Sequence, residues 1–223
     1  MQSSDELEIS APKANPKKIG HRQKPHNMID LTLSTHCQAR CPECPSMDIL
    51  RKMTNSKLFN ETAIVRLSGN YGDPMMHPKV EEIIDICVSK VAYVIISTNG
   101  ALRNAAWYTH LGNKYKDKLR IIFGIDGTNQ EVNNMYRVDV NFDKAYENMK
   151  SFAATPADAE WQYIIFEHNY HQIDDAIKMA TDINCSLFFM FDGWSSPLAL
   201  SAEKEESLTQ YYTINEPLWK LLA

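Results

Sequence analysis

Short runs rich in isoleucine, valine and phenylalanine alternate with segments whose apolar residues recur at helical spacing, and that alternation restricts this chain more than any other feature. Strands are expected near Ile29–Ser34, Ala63–Ser68, Val91–Thr98, Leu119–Asp126, Glu160–Glu167 and Ser186–Phe191. Helices are expected near Pro78–Lys90, Ala105–Lys116, Phe142–Ala154 and Tyr170–Ile183, where Val80, Ile83, Ile84 and Cys87, or Ile173, Ile177 and Ala180, fall on one face. Strands that alternate with helices imply right-handed βαβ units and a parallel sheet. The fold class is therefore α/β, as a partial (β/α)6 TIM-like barrel with parallel strands. The first crossover, Met47 to Asn60, leaves room for only a brief helix.

At 223 residues the chain can bury one sizeable core. Residues 1–27 carry Pro12, Pro16 and Pro25 but no apolar period, and read as a flexible leader. Residues 28–192 form the barrel core, and 193–223, with Trp194, Tyr211, Tyr212 and Trp219, read as a C-terminal helix or lid. A net charge of −5 argues against nucleic acid as an obligatory partner. No apolar run approaches the roughly 18 residues of a membrane span, and no apolar signal-peptide core leads the chain. An odd number of cysteines, clustered at metal-loop spacing, fits a reducing, cytoplasmic setting.

Cys37, Cys41 and Cys44 lie within eight residues, directly after the first expected strand. Pro42 and Pro45 exclude a regular helix there, so the thiols sit on a loop. Three neighbouring thiols cannot all pair as disulfides, which points to a metal. Structural zinc usually takes four protein ligands in two knuckles, and no second knuckle exists. Proteins that hold an iron–sulfur cube for electron transfer alone normally supply four cysteines. Three at this spacing indicate a [4Fe–4S] cluster with one open iron, a cluster that does chemistry.

This C-x3-C-x2-C loop resembles the signature of the radical S-adenosylmethionine (SAM) superfamily, with Glu43 where that family usually has an aromatic or apolar residue. The resemblance implies that the open iron chelates the amino and carboxylate groups of SAM. It further implies reductive cleavage of SAM to a 5′-deoxyadenosyl radical that takes a hydrogen atom from a peptide or small-molecule substrate. The electron would come from a flavodoxin or ferredoxin. The chain resembles the SPASM/twitch-related branch, without that branch's auxiliary-cluster extension: no cysteine follows Cys185.

In parallel α/β folds chemistry gathers at the carboxyl ends of the strands, and the unusual polar residues do follow the strands. Tyr71-Gly72-Asp73-Pro74 follows the second strand and resembles the family's Gly-Gly-Glu-Pro motif, whose backbone meets SAM's ammonium group. Ser97-Thr98-Asn99 ends the third strand, and the resemblance suggests ribose or methionine-carboxylate contacts there, Asn99 foremost. Asp126 ends the fourth strand, facing cofactor or substrate, and if buried requires a donor. Arg137 is the candidate donor; in related enzymes an arginine after strand four pairs with SAM's carboxylate. Phe166 closes a fifth strand that resembles the family's adenine support, and His168 behind it is placed to touch substrate or relay a proton.

The competing class is non-catalytic: an iron–sulfur or zinc protein for electron transfer or partner binding, which would have no reason to cleave SAM. A SAM-consuming methyl or group transferase is a second enzymatic alternative. Cys87 and Cys185 stand apart from each other and from the loop, and are expected to be structural, so the reading is of a single cluster.

Overall fold

The computed structural model describes residues 28–32, 47–60, 62–69, 72–191 and 197–208. Six parallel strands pair in strict sequence order: β1 (Met28–Thr32), β2 (Ile64–Ser68), β3 (Tyr93–Thr98), β4 (Leu119–Gly124), β5 (Asp158–Ile165) and β6 (Ser186–Phe191). That order, with each neighbour parallel, is the expected partial barrel. The crossovers carry α1 (Met47–Thr54), α2 (Lys57–Asn60), α3 (Val80–Lys90), α4 (Ala105–Tyr115), α5 (Gln130–Asn134), α6 (Phe142–Ala153) and α7 (Ile173–Asp182), and α8 (Ala202–Ser207) follows β6. The first crossover thus holds an eight-residue helix and a further turn.

The period-two pattern of the strands separates two chemically different faces. Val65, Leu67, Val94, Ile96, Ile121, Phe123, Trp161, Tyr163 and Phe189 are buried in one apolar cluster with Ile83, Ile84, Tyr108, Met149 and Phe152 of the helices. Burial of such side chains contributes roughly 1.5–3 kcal/mol each, an upper bound because unfolded chains are already partly compact. Cys87 belongs to this cluster at 0% exposure, its thiol pushed up to about 12 by burial, and Cys185 lies at 8% exposure at the start of β6. Both behave as small hydrophobes.

The inner face carries the alternate residues, among them several charged ones. Asp30, Arg66, Ile95, Arg120 and Asp158 are successive register partners across β1 to β5, one horizontal layer of the sheet. Arg120 bonds Asp158 at 2.7 Å and Glu160 at 3.1 Å, Tyr93 Oη donates to Asp158 at 2.9 Å, and Ser68 Oγ donates to Asp30. Among the described residues no helix is long and apolar enough to cross a membrane.

Candidate functional site

The carboxyl ends of β2 to β5 open on the same end of the sheet, and a set of loop-to-loop bonds fixes them. After β2 the chain turns tightly from Gly69 to Gly72, whose N–H donates to the Gly69 carbonyl; a Cβ on Gly69 would run into the Gly72 carbonyl, so only glycine fits. Asp73 then caps a single 3-10 turn, Pro74–Met76, accepting from Met75 N at 2.9 Å. The same carboxylate accepts from Thr98 Oγ1 at 2.7 Å and Asn99 N at 2.8 Å. Burial pushes the Asp73 carboxyl up, while these donors and the Arg137 charge pull it back. Asp73 therefore clamps the loop after β2 to the end of β3. Arg103 strengthens the clamp, donating to the Met75 carbonyl at 3.1 Å and the His77 carbonyl at 2.9 Å.

Asn99 accepts from Ala101 N at 3.0 Å, an Asx turn that fixes its side chain and leaves the amide nitrogen with no bond among the described residues. Asn148, 1% exposed on α6, holds this loop from behind, donating to the Gly100 carbonyl at 2.7 Å.

The loop after β4 centres on Asp126, which is 0% exposed. Its carboxylate accepts from Arg137 Nε at 2.6 Å and from Ile164 N at 2.6 Å. Burial pushes the Asp126 carboxyl up; Arg137 and the Ile164 N–H oppose that. The donor that a buried carboxylate needs is thus Arg137, supplied by the turn behind α5. Only Nε is engaged, so both Nη groups keep their donors among the described residues. Gly124 makes the room: a Cβ there would lie 2.9 Å from Arg137 Nη2.

Asn133 and Asn169 complete this part; Asn169 directly follows His168 after the fifth strand, whereas nothing in the sequence marks Asn133. Asn133 Oδ1 accepts from Asp126 N at 2.9 Å; Asn169 Nδ2 donates to the carbonyls of Asp126 and Ile164 at 3.0 and 2.9 Å, and its Oδ1 accepts from Phe166 N at 2.7 Å. One asparagine side chain thereby ties the loop after β4 to the loop after β5.

Phe166 is buried, tilted against Tyr136 at 4.4 Å between ring centroids and stacked with His168 at 5.4 Å. Both His168 ring nitrogens are buried without a hydrogen-bond partner, and burial, with the His171 charge, holds its pKa below the usual value. Residues 197–208 lie against this loop: the Leu198 carbonyl accepts from Glu167 N at 3.0 Å, Lys204 pairs with Glu167, and Lys204 Nζ sits 4.5 Å above the Tyr170 ring.

A depressed histidine pKa makes a pH prediction. Neutral His168 is favoured by the fold, so its contribution is complete above about pH 6.5 and is lost as pH falls through the unfolded value towards the lower folded one. His168→Phe is expected to flatten the acid limb of stability below about pH 6.5. An unchanged limb in chemical denaturation would remove this assignment.

The structure brings Gly72, Asp73, Pro74, Thr98, Asn99, Asp126, Arg137, Phe166 and His168 to the carboxyl-end loops. Ser97 is turned to the inner face, where its Oγ accepts from Arg66 Nη2 at 3.2 Å. Cys37, Cys41, Cys44 and Tyr71 lie outside the described residues, as do the proposed leader and most of the C-terminal segment.

These features define an α/β partial barrel whose loops at the carboxyl ends of β2 to β5 are tied together by a set of polar side chains. No family model matches the sequence. The chain is 27% identical over 141 residues to the mycofactocin maturase MftC of Mycobacterium ulcerans, a stretch covering 63% of this chain and 36% of that protein. It is 23% identical over 168 residues to the antilisterial bacteriocin subtilosin biosynthesis protein AlbA of Bacillus subtilis, covering 70% and 37%. The fold matches Streptococcus suis SuiB bound to S-adenosylmethionine with a TM-score of 0.63 at 16% identity, covering 83% of this chain and 44% of SuiB. SuiB bound to its precursor peptide SuiA matches with a TM-score of 0.65 at 15% identity, covering 82% and 44%. The chain spans little more than a third of the curated relatives it matches. The similarities to MftC and AlbA, with the shared fold, support a member of the radical SAM superfamily.

Proposed function

We propose that this chain is the catalytic core of a radical SAM enzyme that modifies a peptide, with a flavodoxin or ferredoxin as reductant. The observation that carries it is the donor set at the carboxyl ends of the strands: the Arg137 Nη groups, held by Asp126, and the Asn99 amide, all without a hydrogen-bond partner among the described residues, on the sheet whose first strand leads into the C-x3-C-x2-C loop. A guanidinium fork with an unused edge suits a carboxylate, and SAM carries one. The room left by Gly124 and the clamped loops after β2 and β3 fit such a ligand as well.

Cys37, Cys41 and Cys44 would hold a [4Fe–4S] cluster; with SAM bound, it supplies one-electron reductive cleavage and hydrogen-atom abstraction from substrate. The chain's own part is placement. Arg137 and Asn99 orient the SAM methionine group, Asp126 keeps Arg137 in position, and Gly72 lets backbone approach. Phe166 and His168 close the apolar side after β5 and exclude water. Asp73 and Thr98 act by holding the loops that carry these groups.

The peptide class is supported by the kind of relative the chain resembles: a mycofactocin maturase, a bacteriocin biosynthesis protein, and SuiB with its precursor peptide SuiA. The test is anaerobic reconstitution with iron and sulfide, reduction, and mass spectrometry of the SAM products. 5′-Deoxyadenosine and methionine are expected; S-adenosylhomocysteine alone would mark a methyl transferase, and intact SAM a non-catalytic carrier.

A further inference from the structure

Seen from the mouth of the barrel, the inner face below the proposed SAM site is where a substrate would descend, and its charges are unevenly served. Each acid there already has a donor. Arg120, 13% exposed, holds both Asp158 and Glu160, Tyr93 adds a second bond to Asp158, and Ser68 donates to Asp30. Arg66 is the exception. Among the described residues its single hydrogen bond goes to a neutral group, Ser97 Oγ at 3.2 Å, and its buried Nε has no acceptor.

An unanswered N–H in the interior of a sheet costs about 1–3 kcal/mol, more for a charged group, so its persistence calls for an acceptor. The neighbouring acids do not serve. Asp30 is the register partner of Arg66 on β1, and Glu160 is near enough to feel its charge, yet neither lies within ion-pair distance. A guanidinium with an open Nε edge matches a planar two-oxygen acceptor better than any other common group.

We propose that Arg66, with Ser97 beside it, forms a substrate subsite on the inner face that takes a carboxylate of the peptide, from an acidic side chain or from the chain terminus. The proposal rests on the peptide-modifying reading above, but makes a claim that is read separately from SAM chemistry. Arg66 thereby sets which peptide residue reaches the reacting centre: its register partner is Ile95, three positions before Thr98 on β3. Ser97 steers the fork: its hydroxyl accepts from Nη2 and so holds the guanidinium on the inner face.

The probes are blocked alanine pentapeptides with a central glutamate, glutamine or lysine, and an alanine pentapeptide whose only charge is its terminal carboxylate. Binding to the reconstituted full chain with SAM is measured by calorimetry. For the unmodified protein at least one carboxylate peptide is expected to bind about tenfold more tightly than the glutamine peptide, and the lysine peptide more weakly still. Whichever carboxylate peptide wins identifies the source of the group. Arg66→Gln is expected to bring the ratio to about one, with Arg66→Lys intermediate because it keeps the charge and loses the fork. The order of the unmodified protein towards the three central residues needs no variant, so a poorly folding substitution leaves the test intact. No preference for either carboxylate peptide, or a preference that survives Arg66→Gln, overturns the subsite. Loss of SAM cleavage with the preference intact would overturn the radical reading and leave the carboxylate site standing.

Discussion

Replacing any one of Cys37, Cys41 and Cys44 by alanine is expected to strip nearly all iron from the reconstituted protein and abolish its broad visible iron–sulfur absorption. Three thiolates are the fewest that hold a four-iron cube, so each is indispensable and no spare stands nearby. The other two cysteines supply the control. Cys87 is packed among Ile83, Ile84 and Val80 with its thiol pushed up to about 12, and Cys185 is 8% exposed at the start of β6. A Cys87→Ala, Cys185→Ala double variant should keep its iron and its SAM cleavage, at a cost in stability of a few kcal/mol at most, since each change leaves only a small cavity. Full zinc occupancy in anaerobically purified protein would sink the cluster, whereas loss of about half of the iron in the double variant would signal a second one.

The strands and long helices were legible because each satisfies one strong period. Val80, Ile83, Ile84 and Cys87 repeat at helical spacing and are indeed the buried residues of α3. The shorter elements carry too few turns for a period to show. α1 offers buried Leu50 and Thr54 over two turns, and α5 is announced only by its cap, Asn129, whose side chain accepts from Val132 N at 2.9 Å.

The site divides in the same way. Residues directly after strands are picked out by position, which is how Asn99 and Asp126 were found. Asn133 and Arg103 sit further into their loops and read as ordinary solvated residues until tertiary structure buries or bridges them. The inner face was missed for a subtler reason. Arg66, Arg120, Asp158 and Glu160 alternate with apolar residues, a pattern that normally means one face towards water. In a curved sheet that face is the interior of the barrel, and sequence period alone does not distinguish the two.

Asp126→Asn is expected to be among the most damaging single substitutions outside the cysteine loop. The carboxylate is 0% exposed and joins β4, β5 and Arg137 through two bonds of 2.6 Å. An asparagine can still accept from Ile164 N with its oxygen, but its amide then presents a donor to the Arg137 Nε–H. The result is a partly buried guanidinium facing another donor, and breaking a buried pair from one side costs about 3–5 kcal/mol. The lower end is expected, because Arg137 retains 27% side-chain exposure and can turn towards water. Turning away also removes its Nη groups from the proposed carboxylate position, so SAM affinity should fall by about tenfold or more for a lost charge-assisted bond. Arg137→Met probes the other side. It leaves Asp126 without its cation, and the acid can respond by taking up a proton, since burial already pushes its carboxyl upward. Stability should therefore suffer less, while SAM affinity falls as far. The double variant should be more stable than the sum of the single losses predicts, with a coupling of about 1–3 kcal/mol in urea unfolding. Additive losses, or a single variant that binds SAM as tightly as the unmodified protein, would show that Arg137 is held for packing alone and that the methionine group is anchored elsewhere.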